Sequence, residues 1–100
     1  MHARNLPGVT SIRRLFRVSD PHGLHARPAA LIVGVAIEFD ADVFLQHGTA
    51  VAIGKSLLAL LTLCVGPGEL LTIVAQGIDA DRLMDVLENL FQRHAFMISV

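Results

Sequence analysis

Leu83, Val86, Leu87, Leu90, Phe91 and His94 recur at helical spacing near the end of the chain, while Asp85, Glu88, Asn89, Gln92 and Arg93 take the opposite face. This predicts an amphipathic helix, with Asp79 as its N-cap. Just before it, Leu71, Ile73 and Ala75 alternate with Thr72, Val74 and Gln76, the period of a half-buried strand over Leu70 to Gln76. Leu15 to Ser19 reads as another strand, with Phe16 and Val18 inward and Arg17 on the other face. Asp42 to Gln46 and Thr49 to Ile53 flank His47-Gly48 as the arms of a hairpin. Ser56 opens a second helix, and Gly66-Pro67-Gly68 stops it. The stretch from Ala26 to about Phe39 is ambiguous by periodicity, because its apolar run from Leu31 to Ile37 suits a buried strand as well as a helix.

A chain of 100 residues accommodates one domain with one modest core. Met1 to Thr10 lacks periodicity and contains Pro7-Gly8, so residues 1–10 are expected to form a flexible extension ahead of a domain over 11–100. The net charge of -1 offers no broad attraction for nucleic acid or anionic lipid. Arg13, Arg14, Arg17 and Arg27 are expected to form a local basic patch suited to a phosphate or an acidic protein surface. The single cysteine, Cys64, excludes an internal disulfide, suits a reducing cytoplasm and reads as a small core side chain. The N-terminus has no apolar core of a secretory signal, and no apolar stretch approaches the ~20 residues of a membrane span. A soluble, monomeric cytoplasmic protein is expected, without nucleic-acid binding, membrane insertion or a cofactor.

The chemistry concentrates in Pro21-His22-Gly23-Leu24-His25-Ala26-Arg27-Pro28-Ala29. Turn formers Asp20, Pro21 and Gly23 lead into good helix formers, and Pro28 falls early enough to need no intrahelical N–H bond. His25 is thus placed near an N-cap, where free N–H groups and the positive end of the helix dipole favour an anion. Arg27 adds a planar fork of donors matched to phosphate oxygens. A neutral imidazole is a nucleophile, and a helix N-terminus with a nearby arginine disfavours the imidazolium form. His22 and His25 also make a His-x-x-His pair, a weak metal signal without further clustered ligands. Of the other histidines, His47 reads as a hairpin-tip residue and His94 packs at the end of the last helix.

The string Gly23-Leu24-His25-Ala26-Arg27-Pro28-Ala29-Ala30 resembles the active-site signature of the HPr family, the histidine-containing phosphocarriers of the bacterial phosphoenolpyruvate-dependent sugar phosphotransferase system. Lys55-Ser56-Leu57-Leu58 is similar to that family's second helix with its regulatory serine, and Gly68 through Leu90 to its closing strand and helix. The resemblance runs from about Ser11 to about His94. It implies that Ala26 to Phe39 is a helix, and hence an α+β fold in the order βαββαβα. In this open-faced β-sandwich, three helices cover one face of a four-stranded antiparallel sheet. Two departures are visible: His22 stands where an asparagine is common, and the segment from His47 to Lys55 is one residue longer than the family pattern, with Gly54 placed to absorb it.

By resemblance, the function is that of a phosphocarrier in sugar transport. Nδ1 of His25 would be the phosphoacceptor and Arg27 would stabilise the phosphate. Enzyme I would be the donor, enzyme IIA domains the recipients, and no metal would take part. Ser56 is a good N-cap without further explanation; the family's kinase/phosphorylase adds phosphorylation there as a regulatory expectation. In the helix behind it, Leu60 and Leu63 are expected to face the core, leaving Leu57, Leu58 and Leu61 partly exposed beside His25 as a partner-docking patch. Two alternatives stay open: a nitrogen-type or regulatory relative that controls other proteins, and a small domain binding a metal or ligand through His22 and His25 without phosphotransfer.

Overall fold

Burial alternates along the first strand: Phe16 and Val18 lie in the core while Arg17 faces out and Leu15 is more than a third exposed. The computed structural model describes residues 10–100. The expected flexible extension falls outside the described residues up to residue 9, and Thr10 already belongs to the first strand. The elements are β1 (Thr10–Val18), α1 (Ala26–Ala36), β2 (Asp42–His47), β3 (Ala50–Ile53), α2 (Leu57–Thr62), β4 (Leu70–Gly77), α3 (Ala80–His94) and β5 (Met97–Ser99). The strands form one sheet in the order β3-β2-β4-β1-β5, and every pairing is antiparallel. The three helices pack on one face of it, giving the open α+β sandwich.

The sheet is longer and wider than the residue pattern predicts. β1 starts five residues before Leu15 and pairs with β4 from Thr10 opposite Gly77 to Arg17 opposite Leu70. Its early half lacks a clean apolar alternation because Arg14 occupies a position on the helix side, where its guanidinium binds Glu88 of α3. Arg13 and Arg17 lie on the opposite side of β1, so the four arginines do not form one basic patch. At the other end, Ala95 adopts a left-handed conformation as the C-cap of α3, and Phe96 N–H donates to Phe91 O. That turn sends Met97–Ser99 back along β1 as a fifth strand, absent from the four-stranded expectation.

Ala26–Ala36 is helical, ending with Ile37 as C-cap, short of Phe39. α3 buries Ala80, Leu83, Met84, Leu87, Leu90 and Phe91. Phe91 meets Phe16 edge-on, centroids 5.2 Å apart, a contact whose loss by truncation to alanine costs about 3–5 kcal/mol. Val86 and His94 sit at the margin of the buried stripe and are exposed; His94 stacks on Phe96 instead. Asp79 occupies the N-cap position of α3 but its side chain makes no capping bond. Its Oδ2 accepts from Asp40 N–H, tying the end of the α1–β2 connection to the start of α3.

The hairpin turns on Gly48-Thr49, with His47 opposite Ala50, one residue later than the sequence reading. Gly48 has φ +61 and is the only left-handed residue of that pair, the pattern of a type II′ turn. Gly54 sits against β2, where an added Cβ would lie 2.7 Å from Val43, and its N–H donates to Val43 O. α2 stops at Thr62, three residues before the predicted end, with Leu63 as its C-cap. Leu63 and Val65 both turn into the core, so Cys64 between them takes φ +53 and points outward. Cys64 is therefore an exposed thiol and not a core side chain.

Candidate functional site

The segment between β1 and α1 is held at both ends by backbone bonds. Ser19 and Asp20 N–H groups donate to Phe96 O, and Leu24 N–H donates to Val65 O just beyond α2. Gly23 makes this close approach feasible: its φ is +70, and a Cβ there would sit 2.3 Å from Val65 O. His25 follows as the N-cap of α1, with extended backbone and no side-chain capping bond, so its ring is free for other work. The first turn leaves the N–H groups of Ala26 and Arg27 without helical acceptors, next to that ring. Pro28, buried beneath them, has no N–H to satisfy.

His25 is about one-third exposed, and its Nε2 lies 3.1 Å from Asp20 Oδ2. The other oxygen of Asp20 accepts from His22 N–H at 2.8 Å, closing an Asx-type turn. These donors hold the Asp20 carboxyl below the usual carboxylate range, the His22 N–H first and then the His25 ring, against the opposing effect of partial burial. Asp20 is thus an anion aimed at the imidazole. By sequence it reads only as a turn former; the signal is the acid two residues before one histidine and five before the other, since an Asx turn closed on the first leaves the spare oxygen for the ring that follows.

Arg27 is the second helical residue, exposed, and has no hydrogen-bond or ion-pair partner among the described residues. His22 is largely exposed, with Nδ1 3.5 Å from Asp20 Oδ1. Asp20, His22 and His25 are the group of side chains here able to ligate a metal, and they come together among the described residues. Ser56 caps α2, its Oγ accepting from Ala59 N–H at 3.2 Å. Leu60 and Leu63 are buried, while Leu57 and Leu58 are exposed, Leu58 at 73%, and Leu61 is half-buried against the core.

His47 does more than mark the hairpin. Its Nδ1 is 3.0 Å from Leu63 O and its Nε2 3.2 Å from Glu69 Oε1, while the same Glu69 oxygen accepts from Gly66 N–H. Arg17 donates to Gly68 O at 2.8 Å from the sheet side. Side chains from β1 and β2 thereby brace the loop whose Val65 carbonyl anchors Leu24, beside the His25 cap.

Residues 12–93 match the family described as PTS HPr component phosphorylation site. The chain is 38% identical over 76 residues to the phosphocarrier protein HPr of Treponema pallidum, covering 76% of this chain and 86% of that one. It is 35% identical over 79 residues to the phosphocarrier protein NPr of Shewanella violacea, covering 79% and 87%. Among solved structures, the phosphocarrier protein HPr from Bacillus anthracis superposes with a TM-score of 0.72 at 35% identity, over 78% of this chain and 93% of that one.

Proposed function

The chain belongs to the HPr family and is a phosphocarrier of the phosphotransferase type, and from that premise we propose that Nδ1 of His25 carries the phosphoryl group, taken from phospho-enzyme I and passed to sugar-specific enzyme IIA domains. The observation that carries the assignment is the 3.1 Å contact between His25 Nε2 and the Asp20 carboxylate. A neutral imidazole has one ring proton; an anion on Nε2 keeps it there and leaves the lone pair on Nδ1. Attack by Nδ1 on phosphorus breaks the bond to the enzyme I nitrogen and forms a new P–N bond, with no proton to remove. The product is already the Nε2-protonated phosphoimidazole, whose ring is a good leaving group for the onward step. Asp20 holds that proton through both transfers.

During transfer, charge spreads over the three equatorial oxygens. The N–H groups of Ala26 and Arg27, the helix dipole and the Arg27 fork all act on that charge. Around this centre, the exposed Leu57 and Leu58 with the edge of Leu61 would form the apolar middle of the docking face. Phosphorylation of Ser56 by an HPr kinase/phosphorylase would place a dianion at the N-terminus of α2, tolerated by the helix but adverse to docking. The second reading, a nitrogen-type or regulatory relative, draws on the 35% identity to the NPr phosphocarrier, close to the 38% to HPr. No helix among the described residues is long and apolar enough to cross a membrane. Incubation with phosphoenolpyruvate and enzyme I, read by intact mass, tests the assignment: wild type gains one phosphoryl group and His25→Ala gains none.

A further inference from the structure

Asp20, His22 and His25 each offer a ligand atom, and these atoms lie within 4.8 Å of one another. Asp20 faces both rings with one oxygen to each: Oδ2 lies 3.1 Å from His25 Nε2, and Oδ1 lies 3.5 Å from His22 Nδ1. A tetrahedral zinc ion bound at about 2.0–2.1 Å sets its ligand atoms roughly 3.3–3.4 Å apart, a spacing that a cluster already within 4.8 Å reaches when the exposed His22 ring turns in toward a single Asp20 oxygen. The two histidine rings sit at 68° to each other, centroids 5.4 Å apart, and do not stack across the gap between them. The His-x-x-His pair alone was a weak signal. The Asx turn supplies the third ligand that it lacked.

We propose that this cluster binds a divalent transition-metal ion of the zinc type through Asp20, His22 Nδ1 and His25 Nε2, and that the bound ion excludes the phosphoryl group from His25. The exclusion, though not the binding, rests on the reading of His25 Nδ1 as the phosphoacceptor. Two imidazoles and one carboxylate are a borderline nitrogen–oxygen donor set, suited to zinc, cobalt or nickel and poorly suited to magnesium or calcium, which take oxygen ligands. Three protein ligands leave a fourth position for water. His22 is 78% exposed, so an ion reaches the cluster without any opening of the fold.

The chemical consequence follows from the ring's single proton. A metal on Nε2 displaces the proton that Asp20 holds, and the neutral ring then carries its proton on Nδ1. That nitrogen no longer has a lone pair for phosphorus. Metal and phosphoryl group are therefore alternatives on one imidazole, and metal loading silences the carrier without unfolding it.

Calorimetric titration of zinc chloride into the full chain, with magnesium chloride for comparison, measures the binding. Long-range proton–nitrogen NMR of the His25 ring reads the tautomer, and single-turnover transfer from preformed phospho-enzyme I reads the consequence. The expected results are one zinc per chain, no magnesium binding, the His25 proton moved to Nδ1, and transfer lost with zinc and regained with EDTA. His22→Ala should keep the metal-free transfer rate, weaken zinc binding by at least roughly tenfold and transfer normally in zinc. No zinc binding up to millimolar concentration, or equal binding by His22→Ala, overturns the site. Full-rate transfer by the zinc-loaded chain overturns the exclusion. If enzyme I phosphorylates neither form, the phosphoacceptor assignment fails, while calorimetry and NMR still decide the metal site.

Discussion

Replacing Asp20 by asparagine removes the charge opposite His25 Nε2 while keeping the size of the side chain and an oxygen for the His22 N–H. The contact at stake is a 3.1 Å charge-assisted bond between a one-third exposed imidazole and a carboxylate that is 14% exposed. Hydrogen bonds to charged groups are worth about 1.5–3 kcal/mol, and partial solvent screening trims this one to about 1–2 kcal/mol. If that energy favours the tautomer with Nδ1 free, its loss slows single-turnover phosphoryl transfer roughly 5- to 30-fold. Long-range proton–nitrogen spectra should show the ring proton moving from Nε2 toward a mixture of both nitrogens. The pH dependence has a definite sign. Because the folded state holds the Asp20 carboxyl below its usual range, the stability it contributes is present above about pH 4 and fades as pH falls through the lowered value. The gap in melting temperature between wild type and Asp20→Asn should therefore be widest near neutrality and close in acid. Transfer at the wild-type rate with an unchanged His25 tautomer would refute the reasoning, whatever the effect on stability.

Three further outcomes follow from the same geometry. Gly23→Ala should destabilise by at least about 2 kcal/mol in denaturant melts, since its left-handed φ and the 2.3 Å approach to Val65 O leave no room for a Cβ; an unaltered midpoint would contradict this packing. Arg27→Ala should fold normally but slow transfer roughly ten- to a hundredfold, the equivalent of about 1.5–3 kcal/mol, with lysine rescuing only in part for want of the planar fork. Ser56→Asp and Leu58→Glu should each raise the KM for enzyme I without loss of thermal stability, and equal KM values across the three proteins would make α2 only a piece of core and Ser56 only its cap.

The elements with strong local signals were legible in the residues alone. Asp85, Asn89 and Arg93 against Leu83, Leu87 and Leu90 mark the face of α3, whereas Glu88, expected on the solvent side, is half-buried against Arg14; the alternation at Leu71, Ile73 and Ala75 marks that of β4. Elements whose formation depends on distant partners were not. Arg14 breaks the alternation of β1 because its partner Glu88 lies in α3, and β5 exists only because Ala95 turns the chain back onto β1. Cys64 looked like core because its neighbours are; the early end of α2 rotates it outward. At the site, His25 at a helix N-cap was readable from turn and helix formers. Asp20 was not, because its role depends on the Asx turn aiming one oxygen at a ring five residues later. His47 was likewise read as a turn residue, although its partners Leu63 and Glu69 lie on the far side of α2.

The central claim, that the phosphoryl group travels on Nδ1 of His25, is tested most directly by phosphorus–nitrogen NMR of the nitrogen-15-labelled chain after phosphorylation by enzyme I. The account predicts an acid-labile, base-stable phosphoramidate in which phosphorus couples to Nδ1 of His25, while Nε2 keeps its proton beside Asp20. Coupling to Nε2, or to a nitrogen of any other histidine, would contradict it.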